Sequence, residues 1–155
     1  MTVRPAVVAD VPAIVALIQH HAAQGKMVPR PADEIYTQLR SYWVAEADDA
    51  PGLAGCASSH LYWSDLAELK GLAVAAGWEG RGVGRALCLA CHDELRRLGV
   101  RRVFALTGTP RFFERLGYRI VDKNDLPRFI WGECVRCPSF PVCQEEALVL
   151  DLLPS

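Results

Sequence analysis

Apolar residues recur at helical spacing from Asp10 to about His21, where Val11, Ile14, Val15, Leu17 and Ile18 build one face. Asp10 suits an N-cap, Pro12 suits a first turn, and Gly25 closes the region. A second helix is expected from Pro31 or Ala32 to Arg40, with Ile35, Tyr36 and Leu39 inward. The pattern then changes to strand-like runs at 42–46 and 53–60, joined by turn chemistry at 48–52, which predicts a hairpin. A strand over 67–74 alternates Glu68 and Lys70 on one face with Leu69 on the other. A loop over 75–81 leads into a helix that Gly82-Val83-Gly84 opens and Gly99 closes. The chain ends with a strand at 102–107, a short helix from Pro110 to Leu116, and strands at 118–121 and 147–152. Helices alternating with strands and one hairpin predict a mixed sheet flanked by helices, an α/β (α+β) fold.

Composition narrows this picture to one domain. The chain has 155 residues, 51% hydrophobic and 23% charged, with no repeat or linker, so residues 1–155 are expected to form a single unit. At this length folding buries roughly 70% of the surface exposed by an unfolded chain, so no metal or disulfide is needed as a staple. No run reaches the about 18 uninterrupted apolar residues of a membrane span. A net charge of −1 argues against a polyanion binder, so neither nucleic acid nor membrane is an expected partner. No export signal is visible at the N-terminus, so a cytoplasmic location with reduced cysteines is expected.

The average charge conceals a segregation. Nine arginines and three acids between Arg81 and Arg119 give that stretch +6, so the rest of the chain carries −7. For Arg96, Arg97, Arg101 and Arg102 the competing reading is a solvated helix face. Arg81 and Arg85 differ, because they lie in Gly80-Arg81-Gly82-Val83-Gly84-Arg85, after the strand residues Leu72-Ala73-Val74. A strand feeding a glycine-rich turn and then a helix N-terminus points backbone N–H groups into one concavity, which suits a phosphate. No Lys-Ser or Lys-Thr follows, so it is not a P-loop, and Arg85 stands where a dinucleotide fingerprint has glycine.

Leu-Ala-Val followed by Trp78-Glu79-Gly80-Arg81-Gly82-Val83-Gly84-Arg85-Ala86-Leu87 resembles the acyl-CoA motif of the GNAT N-acetyltransferases. Phe112-Phe113-Glu114-Arg115-Leu116-Gly117-Tyr118 resembles their second cofactor motif. Within that family, four further stretches resemble short, stand-alone amino-acid acetyltransferases of the N-acetylglutamate synthase type. They are Met27-Val28-Pro29-Arg30-Pro31 with Glu34-Ile35-Tyr36, Trp43-Val44-Ala45-Glu46, Leu61 through Lys70, and a tail from Asp122 through Trp131 to Leu148.

The resemblance implies transfer of the acetyl group of acetyl-CoA to the α-amine of an amino acid, first of all L-glutamate, in arginine biosynthesis, by direct attack in a ternary complex. Another small amine, a protein N-terminus, or a non-catalytic acyl-CoA or amino-acid sensor are the alternatives. It places the CoA pyrophosphate on the backbone of Gly80 to Ala86, including Val83. It places the pantetheine arm along Leu72, Ala73 and Val74, with an oxyanion donor near Ala73 or Val74. Glu68 falls where the family has its base, against the alternative of a surface pair with Lys70. Arg30, in the loop covering the acceptor site, and Lys70 are candidates for the substrate carboxylates. Thr107 falls where longer relatives carry a hydroxyl that helps protonate the thiolate, and Arg111 and Arg115 are candidates for phosphate or substrate. Two positions depart from the family: Glu79 replaces Gln or Arg, and Phe113, counted with the cofactor residues, replaces a Tyr that often protonates the thiolate. A homodimer is an assembly the resemblance allows.

Cys134-x2-Cys137-x5-Cys143 admits a structural zinc, a disulfide or packed thiols in a turn-rich loop. Cys56, Cys88 and Cys91 read as small core residues, and the four histidines show no ligand spacing.

Overall fold

A computed structural model describes residues 1–48, 51–127 and 145–154. Its strands are Thr2–Pro5 (β1), Tyr42–Glu46 (β2), Leu53–Trp63 (β3), Leu66–Val74 (β4), Arg102–Thr107 (β5), Arg119–Val121 (β6) and Glu146–Asp151 (β7). The helices are Val11–Ala23 (α1), Ala32–Thr37 (α2), Val83–Arg97 (α3) and Pro110–Glu114 (α4). The strands form one sheet in the order β1-β2-β3-β4-β5-β7-β6, in which only β4 and β5 run parallel.

Alternation along the strands sorts their side chains into layers. Ala45, Ala57, Ala67, Leu69, Val103 and Leu148 pack with Val83, Leu87, Cys88, Cys91 and Leu95 of α3. Tyr42, Val44, Cys56 and Ala73 pack with Val11, Ile14 and Ile18 of α1 and Ile35 of α2. Leu66, Phe104, Leu126, Ala147 and Val149 form a third cluster, with Tyr62 and Leu106 against it. Adjacent residues such as Val44 and Ala45 thus go to different layers, as a sheet covered on both faces requires.

Several boundaries differ from the sequence reading for local reasons. β1 lacks a distinguishing pattern, being a four-residue edge strand that includes Arg4 and Pro5. The second helix stops at Thr37 and tightens into a 3-10 turn at Leu39–Ser41. Asp10 precedes α1, but its carboxylate caps the turn before it. It accepts from the Val7 N–H at 2.8 Å and is held by Arg4 at 2.8 and 3.0 Å. That guanidinium lowers the Asp10 pKa. α4 ends at Glu114, two residues early. β3 runs on to Trp63, so β3 and β4 form a second and longer hairpin.

Cys56, Cys88 and Cys91 are fully buried, as core residues should be, and burial pushes the Cys56 and Cys88 thiols up to about 12. His92 of α3 is 1% exposed, with Nε2 2.7 Å from Tyr118 Oη. Burial, with a smaller contribution from Arg96, lowers its pKa to about 4. An unfolded chain takes up this proton near pH 6.5, whereas the folded chain refuses it until about pH 4. Stability should therefore fall as pH drops through that window, by up to about 3 kcal/mol from this group. Urea unfolding of the parent and of His92→Gln at pH 7 and pH 5 checks this. An equal pH-dependent loss in both would reject the assignment.

No helix among the described residues is long and apolar enough to cross a membrane.

Candidate active site

Two irregularities in the β3–β4 hairpin shape the site. Cys56 faces Ala73 but Ser58 faces Lys70, so Ala57 stands opposite two residues, Gly71 and Leu72. Gly71 takes φ +69, and a Cβ there would lie 3.2 Å from Ser58 Oγ, so only glycine fits this bulge without strain. The bulge resets the alternation, sending Leu72 toward the α3 layer and Ala73 toward the α1 layer. At the hairpin's far end Leu61 faces Ala67 and Trp63 faces Leu66, leaving Tyr62 as a second extra residue.

Between these bulges lies a strip of polar side chains joining the α1 layer to the third cluster. Tyr42 packs edge-on to His60 at 6.3 Å between ring centroids. His60 Nε2 is 3.1 Å from Ser58 Oγ, which donates to the Lys70 carbonyl at 2.9 Å. That hydroxyl's single hydrogen is therefore committed, and the His60 Nε2–H is the donor to Ser58. His60 faces Glu68 across the hairpin. Glu68 is 6% exposed; its Oε1 accepts from Tyr62 Oη at 2.9 Å and lies 4.0 Å from Lys70 Nζ.

Arg30 also belongs to this buried polar set. It is 6% exposed, and its Nη1 donates to Glu34 Oε1, four residues on in the first turn of α2, at 3.1 Å. Burial raises the Tyr42 phenol to about 12, and the Arg30 charge acts on the same phenol in the opposite direction. The two cations chosen from sequence thus each lie beside a carboxylate of the chain, Arg30 with Glu34 and Lys70 with Glu68.

Parallel pairing of β4 with β5 covers only Leu66–Arg102, Ala67–Val103 and Glu68–Phe104. Beyond Glu68 the strands part, and β5 continues to Thr107 paired with β7. β4 ends at Val74, whose carbonyl is 3.1 Å from His21 Nε2 of α1. The loop that follows turns on Gly77, Gly80 and Gly82, all at positive φ. Gly82 is the N-cap of α3 and supplies no side-chain cap; Ala86 N–H donates back to its carbonyl at 3.0 Å. The space where a Cβ would stand on Gly80 or Gly82 is open to 4 Å. Uncapped N–H groups at an α3 of 15 residues, with open space over them, fit a phosphate-bearing substrate.

The charged residues of the loop have defined positions. Glu79 accepts from the Gly77 N–H at 3.0 Å, which holds it within the turn rather than against an arginine. The Arg81 guanidinium sits 4.0 Å over the Trp78 ring, while Arg85 is exposed on the first turn of α3. Farther along the basic segment, Arg96 bonds Asp93 and the Leu152 carbonyl, and Arg102 and Arg119 meet Asp151. Of the arginines read as a solvated helix face, Arg96 lies on α3, whereas Arg102 opens β5. Arg111 and Arg115 flank the aromatic pair of α4.

Thr107 ends β5 with Oγ1 accepting the Thr109 N–H at 2.9 Å and 3.0 Å from Thr109 Oγ1. Phe113 is 5% exposed and packs at right angles to Phe112 and at 72° to Tyr118 within the α3 layer. Its neighbour Phe112 takes the place beside the glycine loop, since a Cβ on Gly84 would lie 3.2 Å from its Cζ.

Tyr62, His60, Ser58, Tyr42, His21 and Phe112 are the residues that sequence reasoning did not select. Hairpin alternation would have put His60 and Glu68 on one face, while the α1 contact of His21 had no local signal. Cys134, Cys137 and Cys143, and with them the zinc reading, lie outside the described residues. Among the described residues no three His, Cys, Asp or Glu side chains are grouped to hold a metal.

Residues 15–118 match the model of the acetyltransferase (GNAT) family. The chain is 35% identical over 150 residues to an uncharacterized N-acetyltransferase of Chlorobaculum tepidum, covering 97% of this chain and 96% of that protein. It is 33% identical over 151 residues to the amino-acid acetyltransferase of Mycobacterium tuberculosis, covering 96% of this chain and 84% of that one. Its fold is similar to N-acetylglutamate synthase of Neisseria gonorrhoeae, solved with coenzyme A and N-acetyl-glutamate. That match has a TM-score of 0.86 and 26% identity over 99% of this chain and 35% of that one. With a family match across β2 to β5, the glycine loop and α4, the chain belongs to the GNAT acetyltransferase family and is an acyltransferase.

Proposed function

We propose that the enzyme transfers the acetyl group of acetyl-CoA to the α-amine of a small anionic amino acid, L-glutamate first, in arginine biosynthesis. The observation that carries this reading is Glu68, a buried carboxylate beside Lys70, at the point where β4 leaves β5. An α-ammonium has no lone pair with which to attack a thioester. Glu68, directly or through a water, takes its proton, and the freed amine adds to the carbonyl carbon in a ternary complex. A backbone N–H near Ala73 or Val74 stabilises the oxyanion. Collapse expels the CoA thiolate as the nitrogen gives up its second proton, and the thiolate is protonated from solvent, directly or through the Thr107 hydroxyl, which takes back a proton as it gives one. The backbone from Gly80 to Ala86 holds the pyrophosphate, and Leu72 to Val74 run beside the pantetheine arm.

Arg30 and Lys70 supply positive charge for the acceptor's carboxylates. Arg offers a planar fork, and its ion pair with Glu34 fixes the orientation of that fork before substrate arrives. The names of the relatives support an amino-acid acceptor, and the bound product in the Neisseria enzyme supports glutamate.

Thiol release from acetyl-CoA, measured with glutamate, glutamine, aspartate, lysine and spermidine, tests the reading. Glutamate should give the highest kcat/KM. Turnover of spermidine but not glutamate would overturn it, and acetyl-CoA binding without turnover of any acceptor would favour a sensor.

A further inference from the structure

Tyr62 is the extra residue at the tip of β3, and a bulge turns its residue out of the regular alternation. The phenol is thereby brought to Glu68, six positions away on the returning strand. Its Oη donates to Glu68 Oε1 at 2.9 Å and accepts from Lys70 Nζ at 3.4 Å. The ring packs against Phe104 of β5 at 5.8 Å, and the Lys70 ammonium lies 5.8 Å over the same ring. One side chain therefore touches both the carboxylate and the ammonium through its oxygen, and also contacts the last β5 residue paired with β4.

We propose that Tyr62 is a positioning residue for acetyl transfer, fixing the Glu68 carboxylate and the Lys70 ammonium relative to each other and setting the pH at which Glu68 can accept a proton. This rests on Glu68 being the base. A hydrogen bond donated to the ionised form favours that form. Among the described residues, the charged or titratable groups facing Glu68 are Lys70 on its own strand and Tyr62 and His60 on β3, while β5 presents Phe104. Tyr62→Phe removes only the hydroxyl and leaves Lys70, His60 and the aromatic packing in place.

The test compares the parent with Tyr62→Phe and Tyr62→Leu, neither of which can donate to Glu68, two variants so that poor folding of one leaves the other. The acid limb of kcat/KM for the amino acid should move up by about one pH unit, as expected for loss of a charge-assisted hydrogen bond. At neutral pH kcat should fall about tenfold, with the acetyl-CoA KM within about twofold of the parent. In the protein without substrates, the carbon-13 titration of the Glu68 carboxyl, assigned against Glu68→Gln, should shift in the same direction. An unmoved acid limb and an unmoved carboxyl titration would overturn the proposal, as would an activity loss accounted for by early melting. If Glu68→Gln keeps full turnover, the base reading itself has failed. If Glu68→Gln is inactive while both Tyr62 variants behave like the parent, only the positioning role has failed.

Discussion

Glu68→Gln is expected to lower kcat by about 10²–10⁴-fold, the usual range for a positioned base, while acetyl-CoA affinity changes by less than about twofold. Glutamine keeps the shape of the side chain and an oxygen that can accept from Tyr62, so packing in the 6%-exposed site is preserved. What it loses is the ability to hold a proton taken from an ammonium. The glycine loop begins beyond Val74, at the other end of β4, and does not sense the change. Removing the negative charge leaves Lys70 with Tyr62 as a partner, which limits the structural cost. Steady-state thiol release and calorimetric titration with acetyl-CoA on the same preparation separate the two quantities. A parallel loss of both would mean that Glu68 supports the fold of the site rather than the chemistry, and retained turnover would remove it from the mechanism.

Gly55→Val is expected to cost about 3 kcal/mol or more, at or above the usual upper range for overpacking. For a chain of this size that lowers the melting temperature by about 10 °C. A Cβ at position 55 would lie 2.9 Å from the Ala73 carbonyl oxygen, 3.0 Å from Val83 Cγ1 and 3.1 Å from Leu87 Cδ1. The first contact is backbone and cannot rotate away; the other two belong to the first turns of α3. Valine adds two methyl groups to that crowding, so α3 must lift from β3 or the β4 edge must shift. Either movement displaces the N-terminus of α3, so the KM for acetyl-CoA should rise together with the loss of stability. Thermal melts and acetyl-CoA saturation curves check both. An unchanged melting temperature would mean that the strand and helix do not approach as closely as described.

Much of this arrangement was readable from residue order. The glycine run after Leu72-Ala73-Val74 marked both the strand end and the helix start, because glycine at positive φ and an uncapped first turn leave a sequence trace. Glu68 and Lys70, two apart on one strand, had to share a face. The Arg30–Glu34 pair was not read from the sequence, because Arg30 lies in the loop ahead of α2 and reaches into its first turn. What was hidden depends on register. Tyr62 meets Glu68 only because the β3–β4 hairpin inserts an extra residue at its tip, and no spacing rule announces a bulge. His21 reaches Val74 across 53 positions, through the packing of α1 on β4. Phe112 and Phe113 are equivalent in composition, and the phase of a five-residue helix decides which one enters the core. The four residues of β1 gained their strand character from pairing with β2 rather than from their own pattern.

The three-residue ladder between β4 and β5 has a mechanical consequence. Strands β1 to β4 and strands β5 to β7 are two half-sheets whose backbone seam is short, so α3, packed on β2, β3 and β4 and touching Val103 and Leu148 of the other half, carries much of the cohesion. A substrate whose arm lies in that seam bridges the halves from inside. Occupancy by acetyl-CoA would then act as a clasp, making the supply of the acyl donor a determinant of how long the folded enzyme survives.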